Sequence, residues 1–209
     1  MTRVILAALC YMALFILIEL ITRKLKLNKE LSRKLAHIIA GTSAAFLPLV
    51  MSFHQIMVLS LLFLPVMALS KSKNLFSSIH EVDRKTYGEL YFPVAIFITA
   101  WWFPTKDLFM YGVLVMGISD GLASIVGQKL GKRTYKLWQG KKSYVGSSVF
   151  FVATVLIGLF VAPSSIGIAP LLAIGLVLTL IEASLSGGID NLVLPPAASG
   201  LLMIAVKLF

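Results

Sequence analysis

Carboxylates are scarce in this chain, so each one is informative. There are nine Asp and Glu in 209 residues. Five of them lie in or at the ends of apolar runs: Glu19, Glu89, Asp120, Glu182 and Asp190. Glu30, Glu81 and Asp83 fall in basic loops, and Asp107 stands alone. Asp120 is the sharpest anomaly, set inside Met116-Gly117-Ile118-Ser119-Asp120-Gly121-Leu122-Ala123-Ser124. A carboxylate inside a membrane span costs about 2.5–3.5 kcal/mol by insertion scales, so it must face protein or a polar cavity. Two roles fit it. It is a chemical group, a metal ligand or proton acceptor, or it is a structural carboxylate paired with a buried cation.

Beyond Asp120 the chain offers glycines and lysines in phosphate-binding company. Gly127-Gln128-Lys129-Leu130-Gly131-Lys132-Arg133 comes first, and Gly140-Lys141-Lys142-Ser143-Tyr144-Val145-Gly146 follows. Glycines let backbone N–H groups approach a phosphate, and lysines supply countercharge. With Tyr144 opening a helix, Ser143 is its cap, and the helix N-terminus adds partial positive charge at the same place. The run is not a P-loop: no glycine stands where that pattern would open, and Ser143 follows two lysines. A topology determinant or an anionic-lipid contact explains a basic loop equally well. Arg33-Lys34-Leu35-Ala36-His37 adds cations one turn from a histidine. Arg84-Lys85-Thr86-Tyr87-Gly88-Glu89 and Glu182 through Asp190-Asn191 complete the candidates. Carboxylate oxygens such as Asp120, Glu182 and Asp190 suit Mg²⁺, which takes one or two carboxylates plus phosphate oxygens. Charge pairing with nearby lysines is the competing account.

The elements that must position these groups are set by hydropathy. Hydrophobic residues make up 58% of the chain and charged residues 13%, yet the net charge is +10. That leaves too little polar surface for a soluble nucleic-acid binder. It also excludes a disordered chain, and the single Cys10 excludes a disulfide scaffold. What remains is one integral membrane domain over residues 1–209. A bilayer core of about 30 Å needs roughly 20 apolar residues per helix. The expected spans are Val4–Leu20, Leu35–Ser52, Gln55–Leu69, Leu90–Pro104, Leu108–Val126, Tyr144–Ala162, Ile166–Ala183 and Asn191–Leu208. Val4–Leu20 lacks a small-residue cleavage site, so it reads as a span and not a signal peptide. The fold class is all-α, a polytopic transmembrane bundle of about eight spans. Sixteen of the 19 Lys and Arg fall in the loops after spans 1, 3 and 5. Short Lys/Arg-rich loops stay cytoplasmic, so both termini are expected outside and the candidate groups inside.

At these residues the chain resembles the CTP-dependent lipid-alcohol kinases: dolichol kinase, phytol kinase and the CTP-using diacylglycerol kinase. The resemblance rests on Arg33-Lys34-x-x-His37, Arg84-Lys85-x-Tyr87-Gly88-Glu89, Asp120-Gly121 with Gly127 and Gly131, Lys141-Lys142-Ser143 with Gly146, and Glu182 followed by Asp190-Asn191 and Pro195. These run in the family's order over about residues 32–196. One departure is Val145, where the family pattern carries an acidic residue.

The resemblance implies transfer of the CTP γ-phosphate to the hydroxyl of a membrane lipid alcohol, with Mg²⁺ as cofactor. It implies Asp120, Lys141, Lys142 and His37 as catalytic residues. Lys141, Lys142, Ser143, Gly146, Gly127, Gly131, Arg33 and Lys34 become the nucleotide site. Asp120, Glu182 and Asp190 become metal ligands, with Arg84, Lys85, Glu89 and Asn191 in support. The partners implied are CTP, the lipid alcohol and the bilayer, and not nucleic acid. A cytidylyltransferase making a CDP-lipid is the nearest rival. A transporter or lipid-binding protein is the rival of another class; transporters place polar groups near the midplane, whereas here they gather at one face.

Overall fold

The computed structural model describes residues 1–73, 87–138 and 140–209. In hydrocarbon a backbone must pair its own polar groups, so the apolar runs become helices. They are α1 (Thr2–Lys24), α2 (Lys29–Ala45), α3 (Phe53–Ser72), α4 (Gly88–Trp102), α5 (Lys106–Leu130), α6 (Tyr144–Val161), α7 (Ile168–Ser184) and α8 (Asp190–Leu208). Each overlaps one expected span. Among the described residues, α1, α3, α5, α6 and α8 are long and apolar enough to cross a membrane. The other three are shorter, at 17 residues for α2 and α7 and 15 for α4.

Capping explains where the boundaries differ from the hydropathy reading. The Asn28 side chain accepts the Leu31 N–H at 2.8 Å, which starts α2 six residues before the apolar run begins. Arg33 and Lys34 therefore stand on the same helix as His37 and not in the loop before it. At the other end α2 stops at Ala45, and a 3₁₀ turn over Leu47–Leu49 follows, with Pro48 in it. Ser52 and Gln55 form a reciprocal capping box that extends α3 to 20 residues, longer than the short span expected there.

The bundle is not purely helical. Between α5 and α6 the chain makes an antiparallel hairpin, β1 (Thr134–Leu137) with β2 (Gly140–Ser143), in which Lys136 faces Lys141 and Tyr135 faces Lys142. The fold class is all-α as expected, with this hairpin as a small addition. Thr134-Tyr135 followed by Gly140 is the β-branched, aromatic and turn signal that marks such a hairpin.

Helix α5 lies at the centre. Of its most apolar window 67% is buried, against 22% for α1. Phe109, Tyr111, Val113, Val115 and Met116 are fully buried on it, next to Leu194, Ala198 and Leu202 of α8. Helix α2 crosses α5 at two facing glycines: a Cβ on Gly41 would sit 2.7 Å from the Gly117 Cα. A Cβ on Gly121 would meet Ile38 at 2.3 Å. Close backbone approach is what small residues allow in membrane bundles. The glycines flanking Asp120 are therefore explained by helix packing.

Candidate active site

Asp120 belongs to a widened π-type turn, Val115–Asp120, inside α5. Such turns interrupt the regular hydrogen-bond ladder and recur at functional sites. The Met116 carbonyl in this turn accepts the His37 Nε2–H of α2 at 2.9 Å. A carbonyl can only accept, so Nε2 carries the proton. The same nitrogen lies 3.6 Å from Asp120 Oδ2. One turn earlier on α2, Lys34 Nζ donates to Asp120 Oδ2 at 2.7 Å. Lysine and carboxylate are both buried. The Gly41–Gly117 crossing brings α2 close enough for this pairing.

A second buried pair stands across the same cavity. Lys142 of β2 bonds Glu182 near the C-terminal end of α7. The other carboxylate oxygen, Glu182 Oε2, is buried and has no hydrogen-bond partner among the described residues. Lys142 is outside the spans. Burial on its own would lower the pKa of its ammonium. Glu182, Asp120 and Asp190 outweigh burial and hold it above the ordinary lysine value.

These groups line one polar cavity of about 1170 Å³, counted with its open mouth, at one end of the bundle. Every α2-, α5-, hairpin-, α6-, α7- and α8-borne candidate in the described region reaches it, except His37. Arg33, Lys34, Asp120, Gly127, Gly131, Lys141, Lys142, Ser143, Gly146, Glu182, Asp190 and Asn191 all line its wall. The Ser143 cap is present: its Oγ accepts the Gly146 N–H at 3.0 Å. Gly127, Gly131 and Gly146 close around that hydroxyl, where any added Cβ would come within 2.4–3.0 Å of it. They hold the hairpin against α5 and α6 as well as forming the wall.

The α7–α8 link depends on two glycines. Gly187 and Gly188 have φ of +69° and +91°, conformations open to glycine and strained for other residues. This sharp turn brings Asp190 back beside Glu182. Asn191 Nδ2 then donates to the Gly88 carbonyl at 3.1 Å, tying α8 to α4. Glu89 bonds Lys71 of α3 and stands apart from the polar cavity, in a neighbouring groove. Arg33 pairs with Glu30 at 2.7 Å, while its Nε is buried without a partner among the described residues. Arg84 and Lys85, with Glu81 and Asp83, lie outside the described residues.

Ser124, Gln128, Thr134, Ser147 and Ser186 also line the cavity and were not singled out by sequence reasoning. Tyr135 and Ser147 share a hydrogen bond of 2.5 Å that joins the hairpin to α6. Period-two alternation around Thr134 was the available signal for the hairpin. Among the described residues no group of three or more His, Cys, Asp or Glu is poised to hold an ion. The cavity does offer hard oxygen donors and one orphaned carboxylate oxygen, which suits a Mg²⁺ that completes its shell from phosphate.

Helices and cavity define an integral membrane protein with a cation- and carboxylate-lined site at one end of its bundle. Similarity to known proteins narrows that class. Over 138 residues the chain is 28% identical to a phytol kinase of Synechocystis sp., a stretch covering 62% of this chain and 59% of that relative. The likeness supports the resemblance to lipid-alcohol kinases seen in the motifs. No family model and no solved structure matches.

Proposed function

We propose that the chain is a lipid-alcohol kinase that moves the γ-phosphoryl group of CTP onto the hydroxyl of a long-chain membrane alcohol. The observation that carries this reading is the meeting of two buried Lys–carboxylate pairs, Lys34–Asp120 and Lys142–Glu182, in one cavity. The similarity to a phytol kinase favours an isoprenoid alcohol of the phytol type as acceptor. Phosphoryl transfer asks for positioning and charge stabilisation more than covalent chemistry. Lys141, Lys142 and Arg33 bind the triphosphate, and the N-terminus of α6, capped by Ser143, adds partial positive charge beside it. Asp120, held by Lys34 and adjoined by His37, accepts the alcohol proton or ligates metal. One or two of Asp120, Glu182 and Asp190 would hold Mg²⁺, which would supply neutralising charge on the phosphates. In this reading the polar end of the bundle faces the cytoplasm, where CTP is, and both termini lie outside.

The test uses membranes containing the protein, CTP labelled at the γ position, and a panel of phytol, geranylgeraniol, a polyprenol and diacylglycerol. A kinase places label on lipid. Label in pyrophosphate would make the chain a cytidylyltransferase instead, and no labelled product with any acceptor would overturn both readings.

A further inference from the structure

Next to the polar cavity runs a second, apolar one. It is a groove of about 830 Å³, counted with its open mouth, walled by α1, α2, α3 and α4. Its floor is a row of small residues on one face of α2: Ala36, Ala40 and Ala44, each one turn from the next. Phe63 of α3 packs edge-on against Tyr11 and Phe15 of α1, with ring centres 5.6 and 6.2 Å apart, and these three rings form one side. Leu47 and Leu59 line it near the far end of α2 and the near end of α3. At 1.5 Å per residue, the eleven steps from Arg33 to Ala44 make it roughly 16 Å long.

The two cavities are neighbours with a shared neck. Arg33 and Asn191 line both. His37 lines the apolar groove, and its Nε2 is 3.6 Å from Asp120, which lines the polar cavity. The Arg33 Nε at the neck is buried and has no partner among the described residues. A groove whose walls are hydrocarbon and aromatic over most of their length, with its charged groups, Arg33 and Glu89, at one end, matches a molecule with an apolar body and a polar head. We infer that this groove is the binding site for the hydrocarbon tail of the acceptor, a single-chain long alcohol whose hydroxyl lies at the Arg33–His37–Asn191 neck.

The neck would then set the reacting atom between the tail site and the triphosphate site. His37 with Nε2 protonated keeps its other ring nitrogen as an acceptor, and Asp120 is its immediate neighbour. The row of alanines is the specificity element. A larger side chain at Ala40 blocks the middle of the slot without touching the cations of the polar cavity.

This inference rests on the kinase reading for the role of the groove, but its test does not need turnover. The full-length protein in phospholipid vesicles is irradiated with a diazirine-bearing C20 isoprenoid alcohol, and labelled peptides are mapped. The expected labels fall on segments carrying Phe15, Phe63, Met67 and Phe92. A tenfold excess of unlabelled C20 alcohol removes them, and the C20 hydrocarbon lacking the hydroxyl does not. Ala40→Phe is expected to lower this labelling at least tenfold while a fluorescent CTP analogue still binds. Should that variant fail to fold, the competition result on the natural chain decides alone. Labels spread over the outward faces around Phe160, Leu172 and Leu176, or groove labels that the alcohol does not displace, would overturn the inference. Groove labelling without phosphoryl transfer sinks the kinase reading and keeps the groove. Transfer without groove labelling does the reverse.

Discussion

The two buried ion pairs of the polar cavity are built on different supports. Lys34–Asp120 joins two helices that touch backbone to backbone at Gly41 and Gly117. Its lysine side chain keeps only 7% of its surface. Lys142–Glu182 joins a helix end to a two-stranded hairpin, and its lysine keeps 22%. The first pair is locked in place from both sides. The second has one partner on an element with few neighbours, and its carboxylate keeps a free oxygen. A locked pair fixes a reacting group at one position. A pair with a spare oxygen and a half-open lysine can exchange partners when a triphosphate arrives. In the proposed reading, Lys34 positions Asp120 and Lys142 meets the incoming ligand.

The largest effect is expected at the locked carboxylate. Asp120→Asn keeps the shape and an acceptor for Lys34 but removes the charge. It should lower kcat/KM for CTP-dependent lipid phosphorylation about 10²–10⁴-fold, the range of a lost acid–base group, with helical circular dichroism unchanged. Unaltered turnover would reduce Asp120 to a structural carboxylate and end this side of the comparison.

The next effect separates positioning from chemistry. Lys34→Met leaves Asp120 buried with no lysine, and breaking a buried pair in this way costs about 3–5 kcal/mol. Thermal unfolding in detergent should move to clearly lower temperature. Adding Asp120→Asn to Lys34→Met removes the uncompensated charge and should restore much of the stability, but not the activity. A double variant as unstable as the single one would mean that packing, and not charge, holds this crossing.

Much of this architecture was legible in the chain. Each of the eight apolar runs overlaps a helix among the described residues, five of them long and apolar enough to cross a membrane, because hydrocarbon forces backbone pairing, and Ser143 caps the helix that Tyr144 opens. Most described candidates, Arg33, Lys34, Asp120, Lys142, Glu182 and Asp190 among them, converge because alternating helices return their like ends to one side, while Glu89 stands apart. Hydropathy alone missed two features. Asn28 pulls the start of α2 back through charged residues, so Arg33 and Lys34 lie on a rigid helix. The hairpin is short and polar, and no apolar run announces it. Which lysine meets which carboxylate was illegible, since spacing along one helix says nothing of the phase of its neighbour. The Gly41–Gly117 contact sets that phase, and glycine spacing on α5 read equally as a ligand approach. The apolar groove lay in side chains that look like ordinary core, Ala36, Ala40 and Ala44 among them.

On the hairpin side the expected effects are smaller and fall on binding. Lys142→Met removes one charge-assisted contact to phosphate, which is worth about 1.5–3 kcal/mol. The KM for CTP should rise about ten- to a hundredfold, with kcat far less affected than by Asp120→Asn. Its loss of stability should be smaller than that of Lys34→Met. If the two lysine variants melt alike, the hairpin is as firmly held as the helix crossing, and the contrast between the pairs disappears.

The smallest effect is one of pH, and its sign follows from Lys142. Carboxylates around this ammonium raise its pKa in the folded protein above the usual 10.5. A group with a raised folded pKa contributes stability that is fully present below its unfolded value and lost as pH rises through the folded one. The gap in melting temperature between the natural chain and Lys142→Met should therefore stay level from about pH 6 to pH 9. It should narrow only above the usual lysine value. A gap that closes between pH 7 and pH 9 would mean that Lys142 sheds its proton there. Burial would then outweigh Glu182, Asp120 and Asp190, and the hairpin pair would not be an ion pair when the triphosphate binds.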